Sequence, residues 1–309
     1  MAAALNAVDT TTPPGKVDRV DRVGMVGLGV MGAGIAGCLL RKGFALHVHN
    51  RSAAKLASLL ALGAQAGGLA ELGRHSRVVV LSLPDTAAVE AVLFGADGLA
   101  STLAPGSCVI DTSTIAAAAT RQFAQQLAAA GITLLDAPVS GGQQGAEQGT
   151  LVCMVGGERA AFDACAPVFA AFSARAVHLG GPGAGQVTKA CNQVAVTGAM
   201  LGVAEALALA RREGVDPAAV REVLMGGSAR SFSLDKHGQR IVDQAFEPGF
   251  RAVLMRKDLR LALDNGAARG AYMPLTTLAE QLLDALCEDG RGERDWSVLG
   301  ALFAERGGA

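Results

Sequence analysis

The chain has 309 residues, 27 Lys plus Arg against 28 Asp plus Glu, and a formal net charge of −1. That near-cancellation argues against nucleic acid as a partner, and with half the residues apolar and 18% charged the composition is that of a folded globule large enough for two domains. Forty Gly against ten Pro, one Trp and one Tyr describe a protein in which backbones approach each other or a ligand closely, which leans towards cofactor binding.

Residues 1–20 carry Ala, Thr, Pro and charge but no apolar stretch ahead of a cleavage site, so a disordered tail on a cytoplasmic protein is expected. From Arg22 to Leu179, short β-rich runs alternate with Ala-rich helical segments: 23–26, 45–49, 78–83, 108–111, 134–136, 151–155 and 176–179. This alternation predicts βαβ units and a mostly parallel sheet, an α/β Rossmann-like domain over 21–182. Immediately after the first run stands Gly27-Leu28-Gly29-Val30-Met31-Gly32. The first Gly permits a tight turn, the second lets a pyrophosphate approach the backbone, and the third lets helix and strand pack closely, so a dinucleotide is expected at the helix N-terminus.

Sites for NAD usually place Asp or Glu about 20 residues further on, to hold the ribose 2′-hydroxyl. Here the end of the second run reads Asn50-Arg51-Ser52. Without the carboxylate there is no repulsion, and Arg51 supplies a planar cation suited to a 2′-phosphate, so NADP is expected to be preferred, with NAD also possible. The other reading of these residues is an ordinary loop that caps a helix. Further along, the run at 134–136 leads into Asp136-Ala-Pro-Val-Ser140-Gly141-Gly142, where exposed N–H groups could bind a carboxylate, although Pro and Gly turns are also used purely for structure.

After Gly180-Gly-Pro-Gly183 no convincing strand remains, and 183–309 is expected to be all-helical, serving substrate binding and oligomerisation. A helix starting at Gly185 could run up to 28 residues, about 42 Å at 1.5 Å per residue. Its apolar stretch Val194 to Ala204 is only about half a membrane span, so a buried helix is expected and no membrane partner. Gln186, Lys189, Asn192 and Gln193 share one face of its first turns. Such a polar face either lines a cleft, where Lys189 could donate a proton, or simply meets solvent. The pair Lys257-Asp258, on its own, reads as structural. Asp216-Pro217 after Gly214 marks one helix ending and another starting. The six Cys lack any C-x-x-C and read as buried free thiols, and the five His form no ligand pattern, so no metal is expected.

Taken in order, these motifs resemble the β-hydroxyacid dehydrogenases, the group of 3-hydroxyisobutyrate dehydrogenase and tartronate semialdehyde reductase, over nearly the whole of 22–300. The matching residues are Gly27 to Gly32, Leu83-Pro84, Asp111-Thr-Ser113-Thr114, Asp136 to Gly142, Gly183-Ala-Gly185-Gln-Val-Thr-Lys189-Ala-Cys-Asn192 and Lys257-Asp258-Leu259. The resemblance implies that Lys189 is catalytic, that Asn192 orients substrate, and that Ser140, Gly141 and Gly142 bind its carboxylate. It also implies that Leu83, Pro84 and Ser113 touch the cofactor and that Lys257 closes over it. Asn192-Gln193, Met225-Gly-Gly227, Phe246 to Phe250 and 257–259 look most like the tartronate semialdehyde reductases, although Gln193 stands where many members have a second Asn.

The expected activity is therefore an NADP-dependent reductase of a short semialdehyde carboxylate, foremost 2-hydroxy-3-oxopropionate to glycerate, in a homodimer or homotetramer. Its rivals are dehydrogenation of 3-hydroxyisobutyrate or another 3-hydroxyacid, threonate-like substrates included, and reduction of succinic semialdehyde or an imine. Lys189 with Asn192 argues against the imine branch. A non-catalytic cofactor-binding scaffold is the alternative from another class.

Overall fold

A computed structural model describes residues 22–306 of the chain, so the tail expected over 1–20 lies outside the described residues. The chain gathers into two compact units that divide after Lys189. The first unit runs β1 (Arg22–Val26), α1 (Val30–Arg41), β2 (Ala45–His49), α2 (Ala57–Ala61), β3 (Gln65–Ala66), α3 (Leu69–His75), β4 (Val78–Leu81), α4 (Thr86–Phe94) and α5 (Leu99–Thr102). It continues through β5 (Cys108–Asp111), α6 (Ala117–Ala129), β6 (Thr133–Asp136), β7 (Val139–Ser140), α7 (Gly142–Gln148), β8 (Leu151–Gly156), α8 (Arg159–Ala164), α9 (Ala166–Phe172) and β9 (Ser173–Gly180).

The strands form one sheet in the order β3-β2-β1-β4-β5-β6-β8-β7, with β9 added to β8. Pairing is parallel from β3 through β6, and β8 then runs antiparallel to β6 and β7 but parallel to β9. Both faces are covered, as the alternation along β4 shows. Val78 and Val80 join Ile35, Leu39 and Ile110 in one buried cluster, whereas Val79 and Leu81 join Leu93, Val109 and Leu134 in another. A strand buried on both faces reads as an unbroken apolar run, which is why 78–81 carries no polar alternation. The strand order reverses around β1, since β2 leaves on one side and β4 on the other. In sheets of this kind ligands bind beyond the carboxyl ends of the strands at such a switch point, here β1 and β4.

Two strands escape a reading by periodicity. β3 and β7 have two residues each, too short to carry an alternating pattern. The third run stops at Leu81 rather than Leu83: the Ser82 N–H still reaches the Val26 carbonyl of β1, but the Leu83 N–H leaves the ladder for Ser113 Oγ.

Helix α10 (Ala184–Arg212) has 29 residues and carries the chain into the second unit. That unit adds α11 (Pro217–Met225), α12 (Gly238–Asp243), α13 (Ala252–Ala267), α14 (Pro274–Glu288) and α15 (Leu299–Arg306), and among the described residues it has no strand beyond an isolated bridge between Arg251 and Asp295. Asp216 caps α11 through the Ala218 N–H at 3.0 Å, Pro217 opens the helix, and Gly214 takes the left-handed conformation before it, at φ +72°. By length and composition α10 could cross a membrane. Its residues Met200, Leu201, Ala204 and Leu207 instead pack with Leu234, Met255, Leu259, Leu283 and Trp296 in the core of this unit. The six thiols are free, as expected, but not uniformly buried: Cys191 is exposed on α10 and Cys287 is half-buried. Position on a helix face, which neighbouring apolar residues do not report, decides this.

Candidate active site

The loop after β1 is shaped by close contacts. Gly27 sits at φ +89°, and a side chain there would run into the Ser82 carbonyl; a side chain at Gly32 would run into the Gly27 carbonyl. Above Gly29, in contrast, there is open space within 4 Å. Gly29 begins α1 without a side-chain cap, and no acidic residue lies in the first turn. Uncapped N–H groups, the positive end of a 12-residue helix and room above the middle glycine fit a dinucleotide pyrophosphate. Val30 and Met31 occupy the opening turn of α1, with Val30 exposed.

Asn50, just past β2, braces this loop. Its Oδ1 accepts the Leu28 N–H at 2.9 Å, and its Nδ2 donates to the Ser52 carbonyl at 2.9 Å. Arg51 and Ser52 between and beside these contacts are exposed. The segment after β4 is braced in the same way: the Leu83 N–H donates to Ser113 Oγ at 2.9 Å, and the Ser113 N–H donates to Asp111 Oδ1 at 3.0 Å. Pro84 follows, exposed. Thus Gly27 to Gly32, Asn50 to Ser52, Leu83, Pro84 and Ser113 all follow the carboxyl ends of β1, β2, β4 and β5, on one edge of the sheet.

From β6 the chain passes through Asp136 to β7 and the turn Ser140-Gly141-Gly142. Gly141 (φ +129°) and Gly142 (φ +63°) both lie in the region that disfavours side chains, and α7 starts directly from them. The side chain of Lys189, on the second turn of α10, reaches this turn and donates from Nζ to the Val139 carbonyl at 2.9 Å. Lys189 is thus buried beside the residue that precedes Ser140, which places an amine next to a turn rich in N–H donors. Gln186, one turn earlier, donates from Nε2 to the Ser113 carbonyl at 2.8 Å and accepts the Ile115 N–H at 3.1 Å, tying α10 to the Ser113 segment.

Sequence reasoning gave Asp136 no role beyond membership of a motif. Its carboxylate in fact accepts the N–H groups of Gly183 at 2.8 Å and Gln186 at 2.9 Å, at the start of α10. Burial pushes this carboxyl up to about 6, against the lowering pull of those backbone donors. The signal that could have exposed it is faint: an Asp at a strand end and a helix start without a local Ser, Thr or Asp.

In the second unit, Asn192 donates from Nδ2 to Gln193 Oε1 at 2.8 Å, and Gln193 Nε2 donates to Asp258 Oδ2 at 2.7 Å. Lys257 Nζ lies 3.2 Å from Asp258 Oδ1. The amide of Gln193 thus links Asn192 to the buried Asp258. Asp258 is buried between Lys257 and Gln193 as the acceptor of both.

Residues 22–181 match the family described as the NAD binding domain of 6-phosphogluconate dehydrogenase, and residues 183–302 match that described as the NAD-binding of NADP-dependent 3-hydroxyisobutyrate dehydrogenase. A 2-hydroxy-3-oxopropionate reductase of Escherichia coli is 39% identical over 279 residues, covering 90% of this chain and 95% of that one. The chain belongs to the β-hydroxyacid dehydrogenase family. Another relative, the NAD-dependent L-serine dehydrogenase of Pseudomonas aeruginosa, is 36% identical over 290 residues, 91% of this chain and 97% of that one. The crystal structure of 3-hydroxyisobutyrate dehydrogenase from Salmonella typhimurium superposes with a TM-score of 0.83 at 33% identity, over 91% of this chain and 99% of the other. As a β-hydroxyacid dehydrogenase, the protein is an NAD(P)-dependent oxidoreductase with a Rossmann-like domain followed by a helical region.

Proposed function

We propose that this β-hydroxyacid dehydrogenase reduces a short semialdehyde carboxylate, foremost 2-hydroxy-3-oxopropionate to glycerate, with NADP preferred over NAD. The observation that carries the reading is the 2.9 Å contact of Lys189 Nζ with the Val139 carbonyl, directly before the Ser140-Gly141-Gly142 turn. A small acid gripped by that turn keeps its neighbouring carbon within reach of the amine, which a long or uncharged substrate does not require.

Gly27 to Gly32 would hold the cofactor pyrophosphate, Leu83, Pro84 and Ser113 follow the same sheet edge and would meet the rest of it, and Lys257 is a cofactor residue by the family resemblance. The nicotinamide supplies the hydride when bound. Lys189 gives its proton to the developing alkoxide, or takes it back in the reverse direction, and the Val139 carbonyl orients the amine between turnovers. Asn192, its amide fixed by Gln193, orients the substrate hydroxyl. Preference for NADP follows from Arg51, exposed directly after β2 with no carboxylate at 50–52. Asn50 contributes indirectly, since its amide is committed to Leu28 and Ser52.

The likeness to the Escherichia coli reductase supports the choice of substrate, and the name of the serine dehydrogenase makes the cofactor worth testing against it. The test is kcat/KM for tartronate semialdehyde and methylmalonate semialdehyde, each with NADPH and NADH. The expected result is a preference for the hydroxyl-bearing substrate, which a site built to hydrogen-bond a hydroxyl can enforce by as much as about 10⁴-fold. A preference for the methyl-bearing one favours a 3-hydroxyisobutyrate dehydrogenase instead. The same assay decides NADPH against NADH.

A further inference from the structure

The buried carboxylate of Asp136 takes no part in the chemistry above, yet its surroundings are built around it. A Cβ on Gly156 would stand 2.6 Å from Asp136 Oδ1, and one on Gly185 would stand 2.9 Å from Asp136 Oδ2 and 2.6 Å from the Asp136 carbonyl. Two glycines, on β8 and on α10, thus leave room for the carboxylate to approach the start of the helix. Helix α10 has no acidic residue in its own first turn. Its cap comes from β6, with Oδ1 on the Gly183 N–H and Oδ2 on the Gln186 N–H, 47 and 50 residues along the chain.

A local Ser or Asp would satisfy the same orphan donors with less desolvation. What the distant carboxylate adds is a fixed relation between two pieces of chain. Four residues after Asp136 comes Ser140 of the turn, and three residues after Gln186 comes Lys189. The Gln186 side chain, held by Ser113 and Ile115, prevents the helix from rotating about that cap.

We propose that Asp136 is a positioning residue for the reaction: by capping α10 from β6 it sets where Lys189 Nζ stands against the Ser140-Gly141-Gly142 turn. This rests on Lys189 being the proton donor. Misplacing a donor by a fraction of a hydrogen-bond length weakens transition-state contacts more than substrate binding, so the effect belongs in kcat.

The experiment compares Asp136→Asn, Asp136→Ser and Lys189→Ala with the wild-type enzyme, reading kcat and KM with the best semialdehyde and Kd for NADPH by its fluorescence. Asp136→Asn turns an N–H donor towards helix N–H groups, and Asp136→Ser leaves at most one acceptor. Both are expected to lower kcat by about 10- to 100-fold, with KM and the NADPH Kd within about threefold of wild type. A folded Asp136→Asn with wild-type kcat, or a loss confined to KM, overturns the proposal. If that happens while Lys189→Ala is inactive, the lysine reading stands alone; if Lys189→Ala keeps wild-type kcat, both fall. Should neither Asp136 variant fold, amide hydrogen exchange on the wild-type enzyme decides. Slow exchange at Gly183 and Gln186 relative to Val30 and Met31, at the uncapped start of α1, supports the cap, and equal rates overturn it.

Discussion

Lys189 and Arg51 illustrate two ways in which a single cation acts. Lys189 is buried and held by a carbonyl, and in the proposed reaction its value lies in one proton placed at one spot. Lys189→Ala is expected to lower kcat by about 10²- to 10⁴-fold while NADPH binding changes little, checked by steady-state rates and a fluorescence titration. Arg51 is exposed, and in the proposed cofactor preference it would act by charge. If it meets the 2′-phosphate in a charge-assisted contact of about 1.5 to 3 kcal/mol, Arg51→Ala weakens NADPH by roughly 10- to 150-fold and NADH hardly at all. Equal losses for both cofactors make Arg51 an ordinary loop cation. Both residues stood out in the sequence, one as the charge on an otherwise amide-bearing helix face and the other as a departure from an acidic position. Asp136 did not, because its partners are main-chain groups 47 and 50 residues away, and backbone donors leave no trace in a side-chain pattern.

At the scale of elements, the strand-loop-helix start at β1 and α1, the run into the Ser140 turn and the 29-residue α10 were all legible, since each rests on local chemistry: glycine conformations, β-branched runs and helix periodicity. What local chemistry does not encode is which elements touch. Helix α1 packs closely on α7, where a Cβ on Gly34 would lie 2.8 Å from the Ala146 carbonyl carbon and 2.9 Å from its Cβ. Cys38 Sγ donates to the Ala146 carbonyl at 3.2 Å, and Arg41 Nη2 reaches the Glu147 carbonyl at 2.5 Å. Gly34 therefore serves helix packing, two residues beyond the last of the dinucleotide glycines. Gly34→Val is expected to destabilise the fold by about 1 to 3 kcal/mol through overpacking, measured by urea unfolding, whereas the same change in open surroundings has no such effect. An unchanged midpoint means that α7 shifts freely.

For the molecule as a whole, acid stability should carry the mark of Asp136. Burial pushes its native carboxyl up to about 6, from the ordinary carboxylate range near 4. Between those values the folded state binds more protons than the unfolded one, so this group's contribution falls as pH rises from about 4 to about 6 and is level above. Roughly two pKa units correspond to about 3 kcal/mol. Asp136→Asn removes the titration, and its loss of the α10 cap lowers stability by an amount that does not vary with pH. Urea unfolding of both proteins from pH 4.5 to 7.5 should show the wild type losing stability relative to the variant as pH rises through this window. A constant difference means the carboxyl is not desolvated as its burial implies. The two-part organisation was legible at this scale from the end of β-rich runs near residue 180, while the antiparallel entry of β8 was not, since a strand's direction depends on how the chain returns.

The contact of α1 with α7 also has a thermodynamic consequence. One of these helices starts at the glycines proposed to meet the pyrophosphate, and the other starts at the turn proposed to hold the acid. If ordering either loop stiffens the platform of the other, the two ligands share a coupling free energy, and by linkage each must change the other's affinity by the same factor. Glycerate should tighten NADPH binding by the ratio in which NADPH tightens glycerate, on the order of fivefold or more if the coupling reaches the usual 1 to 3 kcal/mol. In Gly34→Val both ratios should shrink together, so anyone redesigning the acid-binding turn for a new substrate will find the cofactor's dissociation constant moving as well.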